Sequence, residues 1–298
     1  LHHDLSCLGA AVNKRAIERQ LEIMKSLGCN AIRTSHNPPA PELLDLCDRM
    51  GFLVMDEAFD EWKLSKTMFG YGRLFDEWSE KDLADMIRRD RNHPSIILWS
   101  IGNEIPEQND PNAFEIAKQL ADICHREDPT RPVTSGCNTP EAAVKNGYSK
   151  SLDVFGLNYS MPFYRTLQGK AKLVASETAS AVSTRGEYNL VQDGDTLKIE
   201  KELNNQCTSY DIAAPSWGNT AESTLKAVKS APWVAGQFVW TGFDYRGEPS
   251  PFIFTGIGSQ FGILDFCGFP KDYFYYYKSV WNHEPVVHIM PHWTWPEK

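Results

Sequence analysis

Seven cysteines are scattered through the 298 residues, and no Cys-x-x-Cys pair occurs among them. An odd count without ligand spacing excludes a disulfide framework or a zinc site as the organising principle. The thiols read as small buried hydrophobes. Positive charge is also scarce: 30 Lys and Arg against 39 Asp and Glu leave a formal net charge of −9. Nucleic acid and anionic membranes want a basic surface, so neither is expected as a partner. No apolar run reaches the length of a membrane span. No Gly-rich phosphate loop follows a first strand, which removes the signature of a dinucleotide fold. There is no internal repeat or low-complexity tract. The opening Leu1-His2-His3-Asp4 and the closing "HIMPHWTWPEK" read as cuts through a longer chain, so the lack of a leader sets no compartment.

What is present is apolar and aromatic. Hydrophobic residues make up 42% of the chain, with nine Trp, eleven Tyr and fifteen Phe. That suffices for one large α/β domain or two small ones, and the rings serve as core or as stacking surfaces for sugars. Helix and strand signals alternate over the first two-thirds. Ile17, Leu21 and Met24 fall at helical spacing over 13–27, closed by Gly28. "CNAIRTS" follows as a strand, Pro41 opens a helix ending at Gly51, and "FLVMDEA" is the next strand. A helix over 76–90 leads to "SIILWSIGNE". Asp110-Pro111 then caps a helix with Phe114, Ala117, Leu120 and Cys124 on one face. "RPVTS", "DVFGLNY", "AKLVASE" and "GQFVW" continue the strands; a long polar loop over 183–215 and a helix near 219–230 precede the last of them. With a clipped strand at the N-terminus the count is eight, which predicts a single α/β domain over 1–298, a (β/α)8 TIM barrel. An open doubly wound sheet is the alternative.

In such a barrel, catalytic groups sit where strands run out at their C-terminal ends. The strands here end in Arg33, Ser35 and His36; Asp56-Glu57; Asn103-Glu104; Asn158-Tyr159; Ser176-Glu177; and Trp240. The segment "RNHPSIILWSIGNE" carries the sharpest contrast, an apolar approach finishing on an amide beside a carboxyl. Two carboxyls on one rim suit glycosidic bond cleavage, where the leaving oxygen needs a proton while the sugar carbon turns cationic. Glu104 and Glu177 are the candidates. The approach Ile97–Trp99 would lower the local dielectric and raise a carboxyl pKa towards that of a general acid. Asn103 could bond a sugar hydroxyl without adding charge. Spacing alone leaves second readings open: Glu104 as a solvated carboxylate, Arg33 as a structural ion pair, His36 as a loop anchor, Trp240 as a core ring. Asp56 and Glu57 are adjacent on a strand and face opposite ways, which argues for a supporting hydrogen-bond role. No lysine lies at a strand end within these motifs, which counts against Schiff-base chemistry. A sugar-binding barrel without turnover would not need both glutamates.

"AIRTSHNPP", "LCDRMGFLVMDEA", "RDRNHPSIILWSIGNE" and "GQFVWTGFDY" occur in an order and spacing that resembles glycoside hydrolase family 2, which includes the bacterial β-galactosidases. The resemblance covers nearly the whole chain. It implies a retaining hydrolase with Glu104 as acid/base and Glu177, in "LVASE", as nucleophile, their carboxyls roughly 5–5.5 Å apart. It further implies that Asn103 contacts the 2-hydroxyl, that Arg33 holds the nucleophile, and that Tyr159 stands beside it. His3, His36 and Trp240 match positions lining the sugar subsite. The best-known β-galactosidases carry a histidine where this chain has Ser180, and a Glu-x-His magnesium site where it has Glu61-Trp62-Lys63. With a ligand replaced by the Lys63 ammonium, no metal or other cofactor is expected, and activity should survive chelation. β-Glucuronidases of the family place an Asn-x-Lys pair after the nucleophile; "ETASAVSTRGEYN" has none, and Arg185 is the candidate substitute. The expected substrate is therefore a carbohydrate, β-galactoside first, with β-glucuronide and β-mannoside behind. Flanking β-sandwich domains are expected in the parent chain.

Overall fold

The computed structural model describes residues 1–188, 205–253 and 255–291; "VQDGDTLKIEKELN" lies outside them. In chain order the helices are α1 (Lys14–Leu27), α2 (Pro41–Met50), α3 (Phe75–Asp90), α4 (Ala113–Glu127), α5 (Pro140–Lys145), α6 (Met161–Thr166), α7 (Ala221–Lys229) and α8 (Asp272–Trp281). The strands are β1 (Ala31–Arg33), β2 (Leu53–Glu57), β3 (Ile96–Asn103), β4 (Val133–Cys137), β5 (Phe155–Asn158), β6 (Leu173–Ala179), β7 (Val234–Ala235), β8 (Val239–Trp240), β9 (Tyr245–Arg246) and β10 (Gly258–Ser259). Contacts group the described residues into two units. Residues 1–3, 30–177 and 227–238 form the first; those of 4–29, 178–226 and 239–298 form the second.

In the first unit, strands β1 to β7 pair in chain order, each parallel to the next, as a barrel wall requires. Met55, Leu98 and Val174, from β2, β3 and β6, pack into one buried cluster with Val154 and Phe238 beside it. Side chains from strands three apart in the sheet order meet only if the sheet curls on itself, and that places the core inside the curl. The helices between strands begin and end where local chemistry directs. Pro41 at the first turn of α2 gives up no useful N–H, and Gly51 takes the left-handed cap. Asp76 and Glu77 open α3 while Arg88 and Arg89 close it, matching the helix dipole at both ends.

Three expectations fail in instructive ways. Residues 1–5 form no strand. Helix α4 starts at Ala113 rather than at Pro111, because the Asp110 carboxylate accepts the Asn112 N–H at 2.8 Å and closes a turn ahead of the helix. Phe114 is consequently exposed, and the buried face runs through Ala113, Ala117, Leu120, Ala121, Ile123 and Cys124. The expected strand "GQFVW" is broken: β7 ends before Gly236, and β8 begins at Val239. Gly236 adopts φ +99, a left-handed value that stops the extended ladder.

In the second unit, Asn13 caps α1 by accepting the Ala16 N–H at 3.0 Å, and α1 packs against α8. Thr178 and Ala179, the last residues of β6, pair with β8, and β9 and β10 form an antiparallel pair. The Lys271 ammonium is fully buried and bonds Asp244 at 2.7 Å and the Ser183 carbonyl at 2.6 Å.

Candidate active site

The site belongs to the first unit and is built where β1, β2, β3, β5 and β6 end. Arg33, the last residue of β1, is its hub. Its Nε and Nη2 donate to Glu57 of β2 at 2.7–3.0 Å. Nη1 donates to Oε1 of Glu177 at 2.5 Å, and Nη2 also donates to Oδ1 of Asn103 at 2.8 Å. Arg33 thus bonds both Glu177, a candidate catalytic carboxylate, and its buried ion-pair partner Glu57. Burial would push the Glu57 carboxyl up, but Arg33, His36 and the Ser100 hydroxyl overcome it and hold its pKa at about 2. Removing one partner of such a buried cluster costs about 3–5 kcal/mol, because the charge left behind has no water to turn to. Asp56 points the other way and accepts the Thr34 hydroxyl at 3.2 Å, as strand alternation requires.

His36 lies just past β1. Its Nδ1 is 2.7 Å from Oε1 of Glu57, which as a carboxylate can only accept, so Nδ1 carries the proton and the ring is fixed. Nε2 then faces Oε1 of Glu177 at 3.7 Å and the Asn103 amide nitrogen at 3.3 Å. Glu177, buried on β6, takes its second donor from the Tyr159 hydroxyl, 2.6 Å from Oε2. Each of its oxygens thus accepts a hydrogen bond, and the two lie on known sides of the head group.

Glu104 is held differently. It is the first residue past β3, with φ +42, and Tyr159, first past β5, has φ +54. Left-handed backbone at a residue bearing a Cβ costs about 1–2 kcal/mol, and such strain gathers where side chains must be aimed. Asn158 donates to Oε1 of Glu104 at 2.9 Å and to Oδ1 of Asn103 at 3.0 Å; Asn138 donates to Oε2 at 3.0 Å. Burial, followed by the negative charge of Glu177, raises the Glu104 pKa to about 7 against the opposing pull of Asn158, Lys66 and His36. The expected cause is corrected here. Leu98 faces the core while Ile97 is exposed, and the Trp99 indole turns away to donate to Asp128 at 3.0 Å. The apolar approach does not line the carboxyl; its depth and its neighbour do.

Of the residues singled out from sequence, the structure brings together Arg33, His36, Asn103, Glu104, Tyr159 and Glu177. His3 is exposed, and it is the ring of His2 that stands edge-on to His36 at 6.4 Å between centroids. Trp240 is a buried residue of the second unit, edge-on to Tyr245 at 5.9 Å. Asn138 escaped the sequence reading because "RPVTS" ends the strand at Ser135, whereas β4 continues to Cys137 and delivers Asn138 to the rim. Asn158 had a signal, a polar residue at a strand end, without a role.

The stretch Glu61-Trp62-Lys63, which the resemblance matches to a magnesium site, does not fit a metal. The Glu61 carboxylate accepts the backbone N–H groups of Lys66 at 2.6 Å and Gly72 at 2.9 Å. Lys63 pairs with Asp76 at 2.6 Å, so it is not the ammonium beside Glu104. Among the described residues no group of three His, Cys, Asp or Glu side chains is placed to hold an ion.

Strand β4 contributes a space. A Cβ at Gly136 would lie 2.9 Å from Nη2 of Arg33, 2.9 Å from Oδ1 of Asn103 and 3.0 Å from Oδ1 of Asn158. Gly136→Ala must therefore push the network apart. It is expected to lower stability by about 1–3 kcal/mol and turnover by about 10²-fold through sub-ångström displacement. Thermal melts and steady-state kinetics check both, and an alanine variant with wild-type turnover would contradict the packing described.

Residues 1–281 match the family described as "Glycosyl hydrolases family 2, TIM barrel domain". The chain is 46% identical to the beta-galactosidase BoGH2A of Bacteroides ovatus, covering 99% of this chain and 39% of that protein. It is 29% identical to a beta-glucuronidase of Bacteroides fragilis, over 97% of this chain and 42% of the other. The crystal structure of a beta-glycosidase from Bacteroides vulgatus superposes with a TM-score of 0.85 at 35% identity, covering all of this chain and 40% of that one. The chain thus spans about two-fifths of the length of these relatives.

Proposed function

Because this chain belongs to glycoside hydrolase family 2, we propose that its barrel cleaves terminal β-glycosides with retention, Glu177 acting as nucleophile and Glu104 as acid/base. The observation that carries the reading is the asymmetry of the two carboxyls. One sits between Arg33 and Tyr159; the other is raised to about 7, and half of it is protonated near neutral pH. In the first step an oxygen of Glu177 bonds to the anomeric carbon, the glycosidic C–O bond breaks, and the Glu104 proton goes to the departing oxygen. In the second, Glu104 takes a proton from water, whose oxygen bonds to the anomeric carbon as the ester to Glu177 breaks. Asn103 presents its amide N–H groups over long contacts, 3.3 Å to His36 and 3.4 Å to Asp60, and so suits a sugar hydroxyl. His36 keeps the sugar-lining role that the family resemblance implies.

We place β-D-galactosides first as substrates. The 46% identical relative is named a beta-galactosidase. Arg185, the candidate holder of a uronate, is engaged by Asp265 at 2.6 Å and lies over the ring of Phe269. A β-glucuronide is the alternative, since a 29% identical relative is named a beta-glucuronidase; β-mannosides, or sugar binding without turnover, stand behind it. A panel of nitrophenyl glycosides with the full-length protein tests the glycone. The galactoside should be hydrolysed fastest, and proton NMR should show the β-anomer of the sugar released first. Initial release of the α-anomer would exclude retention, and faster glucuronide turnover would reverse the ranking.

A further inference from the structure

The loop after β2 is fastened at three points to the end of β3 and the turn that follows it. The Trp62 indole donates to the Ile101 carbonyl at 2.7 Å, the Leu64 N–H donates to Glu107 at 2.7 Å, and the Lys66 ammonium donates to the Asn103 carbonyl at 2.8 Å. Lys66 also bonds Oδ1 of Asp60 at 2.7 Å, and its own N–H is held by Glu61. A fixed positive charge therefore rests on the peptide group that joins Asn103 to Glu104, the residue in left-handed backbone. We propose that Lys66 is a positioning residue for the acid/base: clamped between Asp60 and the Asn103 carbonyl, it fixes the turn that presents Glu104 and supplies a permanent cation beside it. The proposal rests on the role of Glu104 given above.

The charged and titratable groups facing Glu104 come from several elements: Glu177 of β6, His36 after β1, Lys66 of the loop, and the Cys137 thiol of β4. Among these the loop ammonium opposes Glu177, which favours the protonated carboxyl. Removing the ammonium leaves Glu177 less opposed, so the Glu104 proton is held to higher pH.

The test uses full-length wild type and the variants Lys66→Met, Lys66→Gln and Lys66→Arg, with aryl β-galactosides of graded leaving-group acidity. For K66M and K66Q the basic limb of kcat/KM should move upward by about half to one pH unit, because a like-sized charge effect is lost. Turnover of the phenyl glycoside should fall about tenfold, and that of the dinitrophenyl glycoside much less, since only the former needs a well-aimed proton. K66R should restore the limb, and chelator or added magnesium should change nothing. A limb that stays in place with equal loss on every leaving group would reduce Lys66 to a structural role. Rescue of K66M by magnesium would overturn the proposal in favour of a cation site. If K66M does not fold, K66Q decides alone, since it retains a donor for the Asn103 carbonyl without charge. A wild type inactive on every glycoside would instead bring down the acid/base reading itself, together with this proposal, whereas an active wild type with an unmoved limb brings down only Lys66.

Discussion

Glu177→Gln is expected to lower kcat by about 10⁵-fold while the protein still folds and binds sugar, the signature of a lost nucleophile. The geometry explains why folding should survive. Arg33 keeps its two-nitrogen contact with Glu57 when the charge on Glu177 is removed, so no buried cation is stranded. The glutamine oxygen can accept from Nη1 of Arg33, as Oε1 of Glu177 does, and the Tyr159 hydroxyl can turn to accept from the new amide. A binding-only barrel would behave differently, because replacing a carboxylate by its amide would change sugar affinity little and there would be no turnover to lose. Calorimetric titration with galactose and stopped assays on nitrophenyl β-galactoside separate the two. Turnover within tenfold of wild type would remove Glu177 from the chemistry.

The second large effect is expected at Glu104. Glu104→Gln should reduce kcat/KM for a poor leaving group by about 10²–10⁴-fold, and far less for a dinitrophenyl glycoside, whose leaving oxygen departs without a proton. The pH profile carries an independent check. The first step needs Glu104 protonated, and with its pKa raised to about 7 the protonated fraction is nearly complete at pH 5 and falls tenfold per pH unit well above neutrality. Wild-type kcat/KM should therefore decline on the basic side with a midpoint near 7, and in the glutamine variant that limb should vanish. A basic limb persisting unchanged in E104Q would assign it to a group other than Glu104.

The glutamates, Asn103 and Arg33 were legible because each sits at the end of a short apolar strand, a local pattern that neighbours in the chain alone produce. For the same reason the strands β1 to β6 and the helices α1 to α4 were readable, down to the Pro41 start and Gly51 stop of α2, whereas the short α5 and α6 carried no such periodicity. Other features depended on which distant residues fill the space. Asn138 is delivered by two more residues of β4. Lys66 comes from a loop with no periodicity, Lys63 was drawn off by Asp76, and Gly136 matters only as room for three side chains from other strands.

The order of the strands and the placement of the two carboxyls at strand ends were thus determined by sequence, since periodicity and end-of-strand chemistry are short-range properties. What tertiary structure decided is how those groups are poised. Arg33 reaches a carboxylate 144 positions away, and Glu104 keeps its proton through burial and that same partner rather than through the apolar residues beside it in the chain. Charge interactions depend on distance in space, and only the curled sheet brings these ends within a few ångströms.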